Sequence, residues 1–144
     1  MTKKNLFLVS LLLVAVVVYV VYFTDWFKSK TLAINYTIRN QPALLQPRGA
    51  IPVLMFILNA EVEFTEIKVV PLARFETNKN VVPLWHLVSD SNSVPLKVFP
   101  YGQMISGMRP AIKGVRAELL ATNVSYRLLV TAGKITGQRD FELK

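Results

Sequence analysis

The chain has no cysteine. That excludes a disulfide framework, a thiolate nucleophile and any cysteine metal site. It also excludes a lipid-modified signal, which requires a cysteine. Only one histidine is present, His86, so a Ser-His-Asp triad would have to be built on that residue. No P-loop, GxGxxG or HExxH occurs. Lys/Arg-rich runs are absent too. Arg39, Arg48, Lys68, Arg74, Lys97, Lys113, Arg127 and Arg139 are spread singly, although the formal charge is +8. Two of the 17 basic residues and one of the 9 acidic residues precede Lys28, so the positive surplus belongs to the rest of the chain. Scattered charge describes a solvated basic surface and gives no footprint for nucleic acid.

Charge is missing altogether from residues 5 to 24, NLFLVSLLLVAVVVYVVYFT. At about 1.5 Å per helical residue this run spans about 30 Å, the thickness of a bilayer's hydrocarbon core. In lipid a single segment satisfies its own backbone only as a helix. Tyr19, Tyr22, Phe23, Trp26 and Phe27 crowd the far end, where amphipathic rings suit the headgroup boundary. A cleaved signal has a shorter apolar core, of about 7–15 residues, and small residues before the cut. The pattern therefore predicts a tail over 1–4, a transmembrane helix over 5–24, a linker over 25–30 and a domain over 31–144. Lys3 and Lys4 before the run nearly balance Lys28 and Lys30 after it. The very short tail is that of a signal anchor, with the domain outside the cell membrane, periplasmic in a Gram-negative cell. The helix carries no Asp, Glu, Lys, Arg or His and no GxxxG, so anchoring in the lipid bilayer is its expected role.

The remaining residues, about 115, suffice for one domain with a core. TLAINYTIR (31–39) alternates Leu32, Ile34, Tyr36 and Ile38 against polar residues, the period of a half-buried strand. NQPALLQPRGAIP (40–52) reads as a connection. VLMFIL (53–58) is apolar on both faces, which predicts a central strand covered on both sides or a core-crossing one. FTEIKVVPL (64–72) is a further strand, with Pro71 at its end or an edge. ETNKN (76–80) and SDSNS (89–93) are polar turns around a strand-like VPLWHLV (82–88). VPLKVF, SYRLLVTAG and RDFELK complete the set. No helical period follows the membrane run. About seven short strands separated by turn signals predict an all-β sandwich.

LLATNVSYRLLVTAG (119–133) places Leu120 six residues before Tyr126, ahead of an alternating strand. It resembles the tyrosine corner of fibronectin type III and immunoglobulin-like domains. The resemblance implies an immunoglobulin/fibronectin III-like β-sandwich in which Tyr126 bonds back to upstream backbone and Leu120 packs beside it. It covers about 15 residues, implies no activity, and the tryptophan-and-disulfide signature of true immunoglobulin domains is absent.

Chemistry is sparse. With residues 84–88 as a strand, Trp85 and Leu87 face one side, and His86 faces the other with Leu84 and Val88. Ser89, Asp90, Ser91 and Ser93 follow His86 but have an ordinary turn composition. Glu61, Glu63 and Glu66 could suggest paired acids, but Glu61 and Glu63, alternating with Val62 and Phe64, read as the wet face of a strand entry. No catalytic residue and no cofactor is expected. MISGM sets Met104 and Met108 four apart. Thioethers with His86 would suit copper(I), whereas methionines also fill cores. Trp85, Tyr101 and Arg109 are types enriched where proteins bind one another, and Pro100, Gly102, Gly107 and Pro110 put 101–109 in a turn-rich segment. NYT at Asn35 and NVS at Asn123 are glycan acceptors in a eukaryotic secretory protein. The expectation is a non-enzymatic, membrane-anchored accessory or scaffold protein that docks on other envelope or membrane-complex proteins, with a ligand or copper(I) carrier using Trp85–Met108 as the alternative.

Overall fold

The computed structural model describes residues 2–23, 31–40 and 52–144. The linker expected over 25–30 and most of the connection expected over 40–52 lie outside the described residues. The element order is α1 (Lys3–Phe23), β1 (Ile34–Asn40), β2 (Pro52–Val62), β3 (Glu66–Pro71), α2 (Leu72–Thr77), β4 (Trp85–Val88), β5 (Leu96–Pro100), β6 (Arg109–Pro110), β7 (Ser125–Ala132) and β8 (Ile135–Glu142).

Helix α1 buries none of its residues and is long and apolar enough to cross a membrane. Tyr19 and Phe23, four apart on one face, stack with centroids 5.3 Å apart. An apolar helix near the N-terminus is also the form of a signal sequence.

The strands form two antiparallel sheets, one of three strands in the order β1-β2-β5 and one of five in the order β6-β4-β3-β7-β8. Alternation decides which side chains lie between them. Leu54, Phe56 and Leu58 come from β2, Ile67 and Val69 from β3, Tyr126, Leu128 and Val130 from β7, and all are buried. Aromatic rings join the two layers. Phe56 meets Phe141 edge-on at 5.2 Å, and Trp85 lies 6.3 Å from Phe99. Burying each such side chain contributes about 1.5–3 kcal/mol. One shared core between two sheets is compatible with a β-sandwich.

Four features depart from the reading of the sequence. β2 is central in its sheet, but its second face is not covered: Ile57 is 36% exposed, and Val98 beside it is exposed too. Among the described residues no second layer lies on that face. A one-and-a-half-turn helix, α2, follows Pro71, whose φ of −64° already suits a helix start. β6 is a two-residue strand, paired with Leu87 and Val88. β8 begins four residues before RDFELK predicted, because β7 holds ITGQ in register even though those residues lack an apolar alternation.

Tyr126 is buried, and its hydroxyl accepts the Ala121 backbone N–H at 2.9 Å. Leu120 packs half-buried against the core. SDSNS also has a structural task. The buried Ser93 hydroxyl accepts the Phe64 N–H at 2.8 Å and donates to the Val94 carbonyl at 2.9 Å, which satisfies a backbone donor in the core.

Candidate functional site

β4 is four residues long and lies near the edge of the five-stranded sheet. Its inner side chains, Trp85 and Leu87, are buried, while His86 and Val88 face outward. Trp85 is 4% exposed and packs edge-on against Tyr101, with centroids 5.2 Å apart. The Tyr101 hydroxyl donates to the Glu118 carbonyl at 2.8 Å. Burial, then the nearby Glu118 carboxylate, raises the Tyr101 pKa well above the ordinary phenol range, so the hydroxyl stays a donor.

The chain that covers the β4 edge does so in two places. Ala111 N–H donates to the His86 carbonyl at 3.1 Å, and Glu118 N–H donates to the Leu84 carbonyl at 2.9 Å. Between those bonds the backbone swings away from the strand and returns, turning where Val115 N–H meets the Ile112 carbonyl. Gly102, at φ +78°, brings the segment after β5 against this loop, and a Cβ there would lie 3.3 Å from the Ala117 Cβ. The space left is a cleft of about 700 Å³ whose walls include Val82, Leu84, Met104, Ile112, Val115 and Arg116. Its rim is apolar and open to water. Val82, Ile112 and Val115 are exposed, Met104 is 62% exposed, and Leu119, just past the loop, is 98% exposed. Isolated surface aliphatics are ordinary, but a contiguous group marks an interaction surface.

The residues singled out in the sequence divide accordingly. Trp85, His86 and Met104 line the cleft. Tyr101 stands behind Trp85. Met108 is buried in the core, away from the exposed Met104. Arg109 forms a two-pronged pair with Asp90, at 3.1 and 3.3 Å, on the exposed surface. The sequence reading passed over Ile112, Val115, Arg116 and Leu119. Their signal was the apolar content of AIKGVRAEL (111–119), a segment assigned to no strand.

His86 belongs to a different group on the outer face of the sheet. Its Nε2 lies 2.7 Å from Glu66 Oε1, and Lys68 Nζ lies 2.9 Å from the same oxygen. Register sets this up, because Lys68 sits opposite His86 and Glu66 opposite Val88. Ser89 donates to the Gly107 carbonyl at 2.7 Å, and Ser93 and Asp90 are engaged as described, so none of the three is the partner of His86. Among the described residues no group of three or more His, Asp or Glu is placed to hold a metal ion. Asn35 and Asn123 are both exposed.

Partial burial raises the Glu66 pKa, but hydrogen bonds from Lys68 and His86 and their charges outweigh it, and the net shift is downward. A carboxylate with a lowered folded-state pKa contributes stability above its unfolded value, and that contribution is lost as pH falls through the lowered one. Glu66→Gln is therefore expected to lower the urea midpoint at neutral pH, with the gap to wild type closing as the pH drops below the ordinary value of 4.5. A gap of constant size across that range would show that the carboxylate charge is not coupled to folding. The pair is partly exposed, so the effect is expected to be modest.

No family model, no curated protein and no solved structure matches this chain.

Proposed function

We propose that this chain is a non-enzymatic, single-pass membrane accessory protein whose β-domain lies outside the membrane and docks on another protein of a membrane complex. The observation that carries the reading is the exposed apolar rim of the cleft beside β4, on a chain whose N-terminal helix is apolar enough to span a bilayer. An anchored domain with a preformed apolar cleft has the elements of a docking module. The reading of α1 as a retained anchor is supported by a run longer than a signal's apolar core of about 7–15 residues and by the bulky aromatics at its end.

We further infer an immunoglobulin/fibronectin III-like sandwich. The order β1-β2-β5 corresponds to strands A-B-E of that fold and β3-β7-β8 to C-F-G, with β4 as an added strand beside C. The hydrogen bond from Ala121 N–H to the Tyr126 hydroxyl supports the same reading.

Docking is tested by extracting the full chain from its native membrane in mild detergent and identifying what elutes with it in fixed ratio. A stoichiometric second protein is expected. A solitary monomer across several detergents and salt conditions would overturn the reading. Protease added to sealed inverted vesicles tests topology: the domain is expected to be protected, and digestion would place it on the inner side.

A further inference from the structure

We infer that the cleft beside β4 seats an apolar segment of a second protein that also carries carboxylates, its aliphatic side chains meeting Met104, Ile112 and Val115 and its carboxylates meeting Lys113 and Arg116. The inference rests on the docking reading above and specifies the surface and the chemistry of what it binds.

The mode of recognition follows from the backbone. The outer edge of β4 is already occupied by Ala111 and Glu118 at the His86 and Leu84 carbonyls. A partner strand therefore finds no free ladder there, and binding has to proceed through side chains. The walls call for aliphatic groups. The charges call for acids: Arg116 lines the cleft, and Lys113 sits between Ile112 and Gly114 on the same loop. Both are exposed, and neither forms an ion pair among the described residues. Among the described residues Glu118 is the one carboxylate of the lining. Along the loop 111–118 two basic side chains stand against one acid, a balance that favours a partner segment with the opposite one.

A bilayer is the competing occupant, because aliphatics interleaved with Lys and Arg also suit a lipid surface. Strand directions argue against it. Thr31 bridges Thr136 at the start of β8, and Ile34 lies opposite Leu58 near the end of β2. The chain arriving from α1 thus enters at the end of the domain that carries the β2–β3 and β7–β8 connections. The cleft lies along the start of β4, where Trp85 faces Val69 near the end of β3, toward the opposite end. It is also three strand positions from β8 in the sheet order, about 14 Å at the usual strand spacing. The seven residues between Phe23 and Thr31 reach about 25 Å at most. The lateral offset alone would take more than half of that reach if the cleft were brought down to the lipid, whereas a protein in the aqueous space meets it freely.

The test uses the full chain in nanodiscs. Random twelve-residue peptides displayed on phage are panned against it, with empty nanodiscs as counter-selection. Enriched peptides are expected to combine aliphatic or aromatic residues with Asp or Glu. Their affinity is expected to fall about tenfold or more with Val115→Asp and, separately, with Arg116→Glu. Both positions are exposed, and unchanged thermal melts of the variants would show that the fold is kept. Because the chain lacks cysteine, Leu119→Cys gives a unique site for an environment-sensitive dye, whose emission is expected to be water-like in nanodiscs alone and to shift blue when the peptide is added.

Blue-shifted emission in lipid alone would assign the loop to the bilayer and overturn the inference. So would an absence of enriched peptides, enrichment without acids, or binding indifferent to both substitutions. If a native complex co-purifies and survives Val115→Asp and Arg116→Glu unchanged, docking stands and this surface falls. If no complex co-purifies at all, the docking reading itself falls.

Discussion

Trp85→Ala is expected to lower the folding stability by about 3–5 kcal/mol, the cost of removing a large aromatic from a packed interior. The indole is 4% exposed and sits between the Phe99 ring at 6.3 Å and the Tyr101 ring at 5.2 Å. Leu87, two residues along, is buried on the same face. Truncation removes dispersion contacts and leaves a void that the surrounding strands cannot close without losing register. Against a total stability of about 5–15 kcal/mol for a domain of this kind, that loss is large. Trp85→Phe should retain most of the stability, since an aromatic of smaller volume still fills part of the space. Urea unfolding followed by far-ultraviolet circular dichroism measures both. A Trp85→Ala variant within about 1 kcal/mol of wild type would mean that the indole is not packed as described. Because Trp85 and Tyr101 also back the cleft, probing the cleft through Trp85 would confuse folding with binding. The exposed Val115 and Arg116 are the cleaner handles.

Gly137→Val is the second large effect. Gly137 sits on β8 where the incoming chain crosses it, and any Cβ built there would lie 2.9 Å from both the Leu32 Cβ and the Leu32 carbonyl oxygen, and 3.0 Å from Ile34 Cδ1. The carbonyl cannot simply move aside, because the Leu32 N–H is bonded to the Thr136 carbonyl at 3.0 Å and Thr31 bridges Thr136. Overpacking of this kind costs about 1–3 kcal/mol, and more when backbone must shift. The expected result is lower global stability together with local opening: the Leu32 amide should exchange with solvent faster than those of β2 and β7. A valine accepted at unchanged stability, with the Leu32 amide still protected, would show that β1 does not lie against β8 in this way. This contact also ties the first residues after the linker to the five-stranded sheet, while β1 itself pairs with β2 in the three-stranded one.

Much of the core was legible. The alternation in TLAINYTIR and SYRLLVTAG put Leu32, Ile34, Tyr36, Ile38, Tyr126, Leu128 and Val130 on inward faces; Tyr36 is only half-buried and Ile38 is exposed, and the other five are buried. Period two is a local property and survives folding whenever one face is covered. The opposite orientations of Trp85 and His86 followed from the same rule. β6 was not legible, because two residues carry no period. Nor was the half of β8 that reads ITGQ, where pairing with β7 overrides weak strand preference. The open outer face of β2 was misread for a related reason: an apolar run states what a strand could bury, not how many layers the fold supplies.

The cleft was the least legible part. Its lining comes from residues 82–87, 102–104 and 110–118, segments brought together only when the loop after β5 folds back onto the edge of β4. Ile112, Val115 and Leu119 belong to no helix or strand of the fold, and only the folded chain shows that they stay in water. The partner of His86 was equally hidden. Glu66 lies 20 residues away, and cross-strand register rather than sequence proximity puts the two 2.7 Å apart.

By itself the sequence determined what depends on composition and local period: an apolar helix long enough to span a bilayer, a cysteine-free domain held by its core, and strands whose inward faces can be named. Tertiary structure alone decided the order of strands in two sheets, which apolar residues remain exposed, and which distant side chains meet. The division has a physical cause. Burial preference is written residue by residue, whereas a cleft or an ion pair exists only as a distance between segments, and that distance is set by the packing of the whole domain.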